Sequence, residues 1–372
     1  MKYNLKKMWP AAAASLVAFT NLSFADADNA QMRNLENRVT ALEQRRGANG
    51  VINPPGRPQV RNGADLFITA DALYWIAHED GLPLFVENED QGFTTNLHKA
   101  DAEGLHWDWD WGFRVGFGYN MPHDGWDLSL TWMRVYGKAH EHEHAHGDDA
   151  LYPTLTHPGA NLNGVNLGRG PYTKAKGHWK LQLNQIDLEM GREFFVSKWL
   201  TLRPHFGLRT DWIHQKLEVH YNRFEGVSGQ DYEVEMKNHF WGLGIAAGLD
   251  TQWGLGGGWS IYGNAAFAVL YGFHELDRED ELANGTEFKW VDMDYSYRVS
   301  RAVGDLQLGL RWDTMFDKDR FHFGIQAGWE HHIYFSQNQF PRFVDDVAIG
   351  DFIANQGDLT FQGWTLSARF DF

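Results

Sequence analysis

The tract AHEHEHAH, residues 139–146, places His140, His142, His144 and His146 at alternate positions with Glu141 and Glu143 between them. In an extended segment the four imidazoles share one side, and neutral imidazoles bind zinc, copper or nickel. Histidine-rich tracts without a scaffold are more often weak scavengers or plain solvated loops, so two readings stand here. A second set, His106, Asp108 and Asp110 together with His331 and His332, has the residue types that activate water, work that depends on hydrogen-bond geometry. The third set is the largest: Asp71, His106, Asp108, Asp110, Arg114, Asp127, Asp187, Glu189, Arg203, His205, Arg209, Asp211, Asp250, Asp305, Arg311, Asp313, His322, Glu330, Arg369 and Asp371. Each stands in a run where every other residue is bulky and apolar.

The alternation identifies the elements that hold these side chains. In LHWDWDWGFRVGFGYN, residues 105–120, the odd positions are Leu105, Trp107, Trp109, Trp111, Phe113, Val115, Phe117 and Tyr119, and the even ones are polar or glycine. A helix would scatter the tryptophans around its axis, whereas a strand puts the two sets on opposite faces. The run is longer than the ~5–6 residues usual for soluble strands and suits the ~9–11 of a tilted membrane-crossing strand. The same period recurs from Asp65 onward, giving ten apolar rows, or twelve if the long loops hide a pair. Trp179, Leu181 and Leu183 lie on one parity and Ile186, Leu188 and Met190 on the other, which predicts a bulge near Asn184.

Upstream, Lys2, Lys6 and Lys7 precede an apolar stretch and Ser23-Phe24-Ala25, the pattern of a signal peptide over residues 1–25. Met32, Leu35, Val39 and Leu42 form an a/d seam over residues 26–46, read as a short coiled coil that could trimerise the chain or as an ordinary amphipathic helix. Residues 47–64 are a Gly/Pro-rich linker, leaving 65–372 for the strands. The formal charge is −16, or −19 without the three leader lysines, which argues against a nucleic-acid partner. The absence of cysteine excludes disulfides, thiolate metal sites and thiol nucleophiles.

Connections alternate long and short along the chain, with long ones at 76–104, 139–176 and 336–357, medium ones at 222–231 and 275–287, and breaker-rich turns such as 122–125 and 254–258. A soluble barrel or sandwich would alternate too. Export, strand length, loop asymmetry and tryptophans near strand ends favour a lipid-facing barrel, as do the glycines among the polar rows. The expected fold is all-β: an up-and-down antiparallel transmembrane barrel of about ten strands with a short N-terminal coiled-coil helix. Both termini then lie in the periplasm and the long loops outside the cell.

The segments ADALYW (70–75), WGFRVGFGYN with DGWDL (111–128), RPHFGLRTDWI (203–213), FWGLGIAAGLDTQW (240–253) and SARFDF (367–372) together resemble the pore-forming outer-membrane proteins related to the Legionella major outer membrane protein, a family also present in environmental chlamydiae. The resemblance runs from about Asp65 to Phe372. It implies a porin-like barrel, with no catalytic residues and no cofactor. Phe372, with alternating apolar residues before it, resembles the insertion signal read by the barrel-assembly machinery, which would be a partner alongside outer-membrane lipid.

If the apolar rows face lipid, the polar sets line the lumen. Asp108, Asp110, Arg114, Asp127, Asp187, Glu189, Arg203, His205, Arg209, Asp211, Arg311 and Asp313 are the candidate lumen residues. Acids outnumber arginines twelve to five in the full inner set. The expected function is passive diffusion of ions and small hydrophilic solutes, with a mild cation preference. A structural or adhesive envelope protein is the alternative, and a rim-located outer-membrane protease built on His106, Asp108, Asp110, His331 and His332 a more remote one.

Overall fold

In a computed structural model of the chain, the residues described are 53–88, 100–122, 124–146, 149–162, 165–223, 231–283 and 287–372. The expected signal peptide and the helix at 26–46, with the His-tract's neighbours 147–148, lie outside them. The main sheet has twelve members, two of them dipeptides (His106–Trp107 and Phe194–Phe195). The ten long strands are β1 (Leu66–Glu79), β2 (Trp109–Asn120), β3 (Trp126–His144), β4 (Lys174–Arg192), β5 (Leu200–Asn222), β6 (Asp231–Gly256), β7 (Trp259–Ala283), β8 (Glu287–Phe316), β9 (Phe321–Asn338) and β10 (Gly357–Asp371). Each pairs antiparallel with its neighbours in sequence, and β1 with β10 completes the circle. Closure removes every long edge whose amides would otherwise be unpaired in lipid. The seams are uneven. β2 and β3 pair only from Phe113↔Arg134 to Asn120↔Asp127, whereas β6 and β7 pair from Asp231↔Ala283 almost to their turn.

The outward face is largely apolar over residues 68–74 of β1, 109–119 of β2, 128–132 of β3, 186–190 of β4, 202–212 of β5, 241–253 of β6, 259–273 of β7, 302–312 of β8, 321–329 of β9 and from 364 in β10 to Phe372. Ile245 is 70% exposed and Trp111 66%. A belt of such residues far exceeds the apolar patches that a soluble monomer carries and fits hydrocarbon. Trp364, Trp329, Trp109, Tyr74 and Trp111 touch in sequence around its upper edge, with centroids 4.8–6.1 Å apart. Phe316, Phe321, Phe370 and Phe372 stack at the lower edge. The twelve residue steps from Trp241 to Trp253 cover roughly 40 Å along a strand, or about 30 Å of bilayer at the usual tilt.

Above this belt the two faces exchange character. In β4 every odd residue from Ala175 to Asp187 points inward. Trp179, Leu181 and Leu183 are therefore buried inside while Gln185 and Asp187, on the same side, line the lumen. Pairing with β3 and β5 runs unbroken through Asn184, so the bulge expected there is absent. The apolar row changes sides because the surroundings do: beyond the bilayer, water lies outside and the long loops lie inside. The bulge sits instead at Asp108. Phe113 opposes Arg134 and Trp107 opposes Ala139, so one strand takes an extra residue between those pairs. Leu105 turns inward as a result, and Trp107 packs edge-on against buried Trp179 at 5.0 Å, breaking the parity expected over 105–120.

β5 runs to Asn222 and β6 starts at Asp231, as expected, but the medium connection expected at 275–287 is largely strand, since β7 runs to Ala283 and β8 starts at Glu287. These extensions rise about 30 Å along the strands beyond the belt. Inside them Ile213, Leu217, Val219, Tyr221, Tyr232, Val234 and Met236 meet loop residues Leu84, Phe85, Leu151, Leu155, Leu167 and Phe340 in one core. At the opposite end, residues of the 47–64 linker tuck against the β4–β5 connection, where the Gly56 N–H donates to the Glu193 carbonyl and Pro55 bridges Phe194.

Candidate functional site: the lumen

Inward residues of the membrane segments form two tiers of charge. In the lower tier Arg203 (β5) binds Asp127 (β3) at 2.6 Å and Asp250 (β6) at 2.8 Å, and reaches Glu189 (β4) at 3.8 Å. His205 sits 3.5 Å from both Glu189 and Asp250. Across the same level, Arg311 meets Asp313 at 2.8 Å, His322 bridges Asp313 and Asp371 at 2.9 and 2.7 Å, and Arg369 closes on Asp371 at 2.7 Å. Buried Arg57 donates to the carbonyls of Trp126 and Met121 below.

The upper tier crosses the lumen. Arg209 (β5) holds Asp187 (β4) at 2.7 Å and Asp305 (β8) at 2.6 Å, bridging strands that are not neighbours. His332 (β9) continues the chain to Asp305 and Glu330 at 2.7 and 3.0 Å. Arg114 (β2) joins Glu330 at 2.7 Å and Asp71 (β1) at 2.9 Å. Asp211 is fully buried beside Arg209 and Tyr334. Glycine makes room for this filling: a Cβ at Gly118 would run into the Phe67 ring, which lies flat beneath Arg369 at 4.0 Å.

Between the tiers is a cavity of about 290 Å³. A second, of about 520 Å³, opens at the short-turn end, and the two share Glu193, Thr201, Gln252 and Arg311. The two spaces therefore adjoin at the level of the lower tier. Above Arg209 the interior is packed: Glu79 accepts from Gln215 at 2.8 Å and from Trp179 at 3.2 Å, and Trp75, Tyr334 and Phe361 fill the remaining width. Burial outweighs those two hydrogen bonds and pushes the Glu79 carboxyl up to about 8.

Of the twelve expected lumen residues, Arg114, Asp127, Asp187, Glu189, Arg203, His205, Arg209, Asp211, Arg311 and Asp313 lie in or beside these tiers. Asp108 does not, because the bulge turns it to the outer side, where it pairs with His140 at 3.1 Å. Asp110 is at the wall, 3.4 Å from the outward Lys138 ammonium. His106 is exposed and reaches Glu141 at 2.5 Å. His331 faces out while His332 is fixed inside, so the five rim residues do not converge on one point. His140 and His142 project from the outer wall, and His142 meets His144 edge-on at 4.5 Å. Among the described residues no group of three or more His, Asp or Glu is placed to hold a metal ion. Sequence reasoning missed Glu79, Trp75 and Tyr334, although inward apolar residues next to outward lysines in β4 carried the signal.

A family model described as the Legionella pneumophila major outer membrane protein precursor matches residues 57–372, which include every strand of the barrel and both tiers. The chain belongs to that family. Its members are outer-membrane proteins, and the match places this barrel in the Gram-negative outer membrane. Among solved structures it is similar to a major outer membrane protein from Thermus thermophilus, at 11% identity, covering 82% of this chain and 99% of that one, with a TM-score of 0.27. It is also similar to OprG of Pseudomonas aeruginosa, at 10% identity over 63% and 97% of the two chains, with a TM-score of 0.26. Likeness at that level leaves the architecture to rest on the strand pairing itself. None of the curated proteins matches the chain.

Proposed function

We propose that this family member is a narrow, gated channel for ions and small hydrophilic solutes, with both termini in the periplasm and the long loops outside. The observation that carries this is the pair of adjoining cavities between the short-turn mouth and the middle of the barrel, lined by ion-paired residues. Charges facing water at such a constriction set ion preference. Acids stay in excess after pairing, since Arg203 and His205 together face the three carboxylates of Asp127, Asp250 and Glu189, so cations are favoured. The packed outer half closes the passage, and conduction then requires that cap to shift.

Refolded protein in a planar bilayer should show brief, small openings with a reversal potential on the cation side. Replacing both Glu189 and Asp250 by their amides should move the reversal potential toward zero. Anion-favouring currents would overturn the reading. The packed outer half also favours a second one, a structural envelope barrel, and complete silence even after the cap has been loosened would select it. Rim proteolysis finds little support in the geometry, because His332 is held between Asp305 and Glu330 while His106 and Asp108 face outward.

A further inference from the structure

Just above the lipid-facing belt, four lysines stand directly opposite one another on four adjacent strands: Lys138 (β3), Lys180 (β4), Lys216 (β5) and Lys237 (β6). All four are on the outer face. The row beneath them is Tyr136, Gln182, His214 and His239, and the one beneath that contains Trp212 and Trp241 at the edge of the belt. The row above begins His140 and His178, and the next pairs His142 with Lys176. Like charges directly opposite on neighbouring strands are destabilising. In a chain of net charge −16 a four-strand cationic row is not average surface.

Intramolecular carboxylates neutralise only one side of this row. Lys216 and Lys237 are held by Glu218 and Glu235 at 2.5–3.1 Å. Lys138 has Asp110 at 3.4 Å and stays 61% exposed. Lys180, Lys176 and Lys174 have no hydrogen-bond or ion-pair partner among the described residues. Around the wall the same row continues as Asp277 and Asp294, so the cationic sector ends sharply at β7.

We propose that the β3–β4 part of this row binds the phosphate groups of the phosphorylated glycolipid of the outer leaflet. The row lies two rows, or four residues, from the tryptophan edge, about 13 Å along the strand and about 9 Å along the membrane normal at the usual tilt, at the level of the headgroups. Lysine is a point-charge phosphate ligand, and Arg134, stacked on Tyr136 at 5.2 Å, extends the positive strip to the edge of the hydrocarbon. The neighbour at this level is the lipid headgroup, because the row stands on the same strands and the same face as the lipid-facing belt, directly above its polar upper margin. The inference rests on the long-loop end lying outside the cell.

The test titrates the refolded full chain in detergent with lipid A carrying both phosphates and with its dephosphorylated form. The phosphorylated form should bind more tightly, and K138Q/K180Q should weaken it about tenfold, as expected for losing two charge-assisted contacts. Both forms should then bind alike, while K138R/K180R, which keeps the charge, should retain the wild-type difference. Wild-type protein that does not discriminate between the two forms, or a K138Q/K180Q chain that still does, would overturn the proposal. Full competition by millimolar inorganic phosphate would also overturn it, by assigning the row to a free anion. A change of oligomer size in K138Q/K180Q without a change in lipid binding would assign the row to a second copy instead. Separately, a tag at the long-loop end that antibodies cannot reach on intact cells would overturn the orientation, whatever the titration gives.

Discussion

Arg278→Met is expected to destabilise the outer half of the barrel by about 3–5 kcal/mol, the usual consequence of removing one partner from a fully buried ion pair. Arg278 and Asp280 are both 0% exposed and 2.8 Å apart, inside the extension of β7. The guanidinium also donates to the carbonyl of Pro341 at 2.6 Å and of Leu155 at 2.5 Å, and stacks on Phe343 at 4.8 Å. One side chain thus ties two separate long loops to the wall. Tyr232 donates to the other Asp280 oxygen at 2.6 Å and accepts from the His157 N–H at 3.0 Å. Burial and the facing carboxylate hold the Tyr232 hydroxyl protonated, well above the usual range.

With methionine in place, Asp280 would be a buried charge with one hydroxyl for company, and two carbonyls would lose their donors. Limited proteolysis should then cut within 149–172 and 339–356 in the variant while the folded wild type resists. Bilayer openings should become longer, because these loops form the cap. The triple change R278M/D280L/Y232F removes the buried charges and the hydroxyl together, leaving the Pro341 and Leu155 carbonyls and the His157 N–H to find other partners, and should recover part of the protease resistance, since apolar replacement of a whole buried pair costs far less than removing one partner. Equal resistance of wild type and R278M would show that the ion pair does not hold the cap.

How much of this was legible in the sequence depends on depth. Within the belt the environment is constant, lipid outside and water or charge inside, so period-two alternation found all ten long strands and put Arg114, Arg203 and Arg209 on the inner face. Beyond it the same period persists with its meaning reversed. Trp179 and Leu181 read as a slipped lipid row when they are the inner lining of a cap. Residues 287–305 look irregular because both faces of β8 are mixed there, although Ala266 through Ala283 pair with them. Asp108 was misplaced because a one-residue bulge leaves no mark in a pattern of alternating Trp and Asp. Of the His tract, His140 and His142 share the outer wall above the belt, where their neighbours are Asp108 and a lysine-bearing strand.

Glu79 makes the cap sensitive to pH. Its carboxyl lies above the belt, fully buried, and is raised to about 8 by burial, with Asp80 adding to the effect and the hydrogen bonds from Gln215 and Trp179 opposing it. In the unfolded chain the same group titrates near ~4.3. Between those values the folded protein keeps a proton that the unfolded chain has released. Stability from this group is therefore complete below about pH 4.3, declines by about 1.4 kcal/mol for each pH unit above it, and is gone once pH passes 8. Glu79→Gln keeps one acceptor oxygen, enough for Trp179, can donate its amide N–H to the Gln215 oxygen once that amide turns over, and cannot ionise, so its stability difference from wild type should grow in its favour from pH 5 to pH 8 and level off above. Urea midpoints of the refolded barrel at pH 5, 6.5, 8 and 9 measure this directly. A constant difference across that range would mean that Glu79 is already charged in the folded protein. If the difference grows as expected, rising pH loads a negative charge between Trp179, Trp75 and Gln215, and the same ionisation that weakens the fold should lengthen channel openings in wild type and not in E79Q.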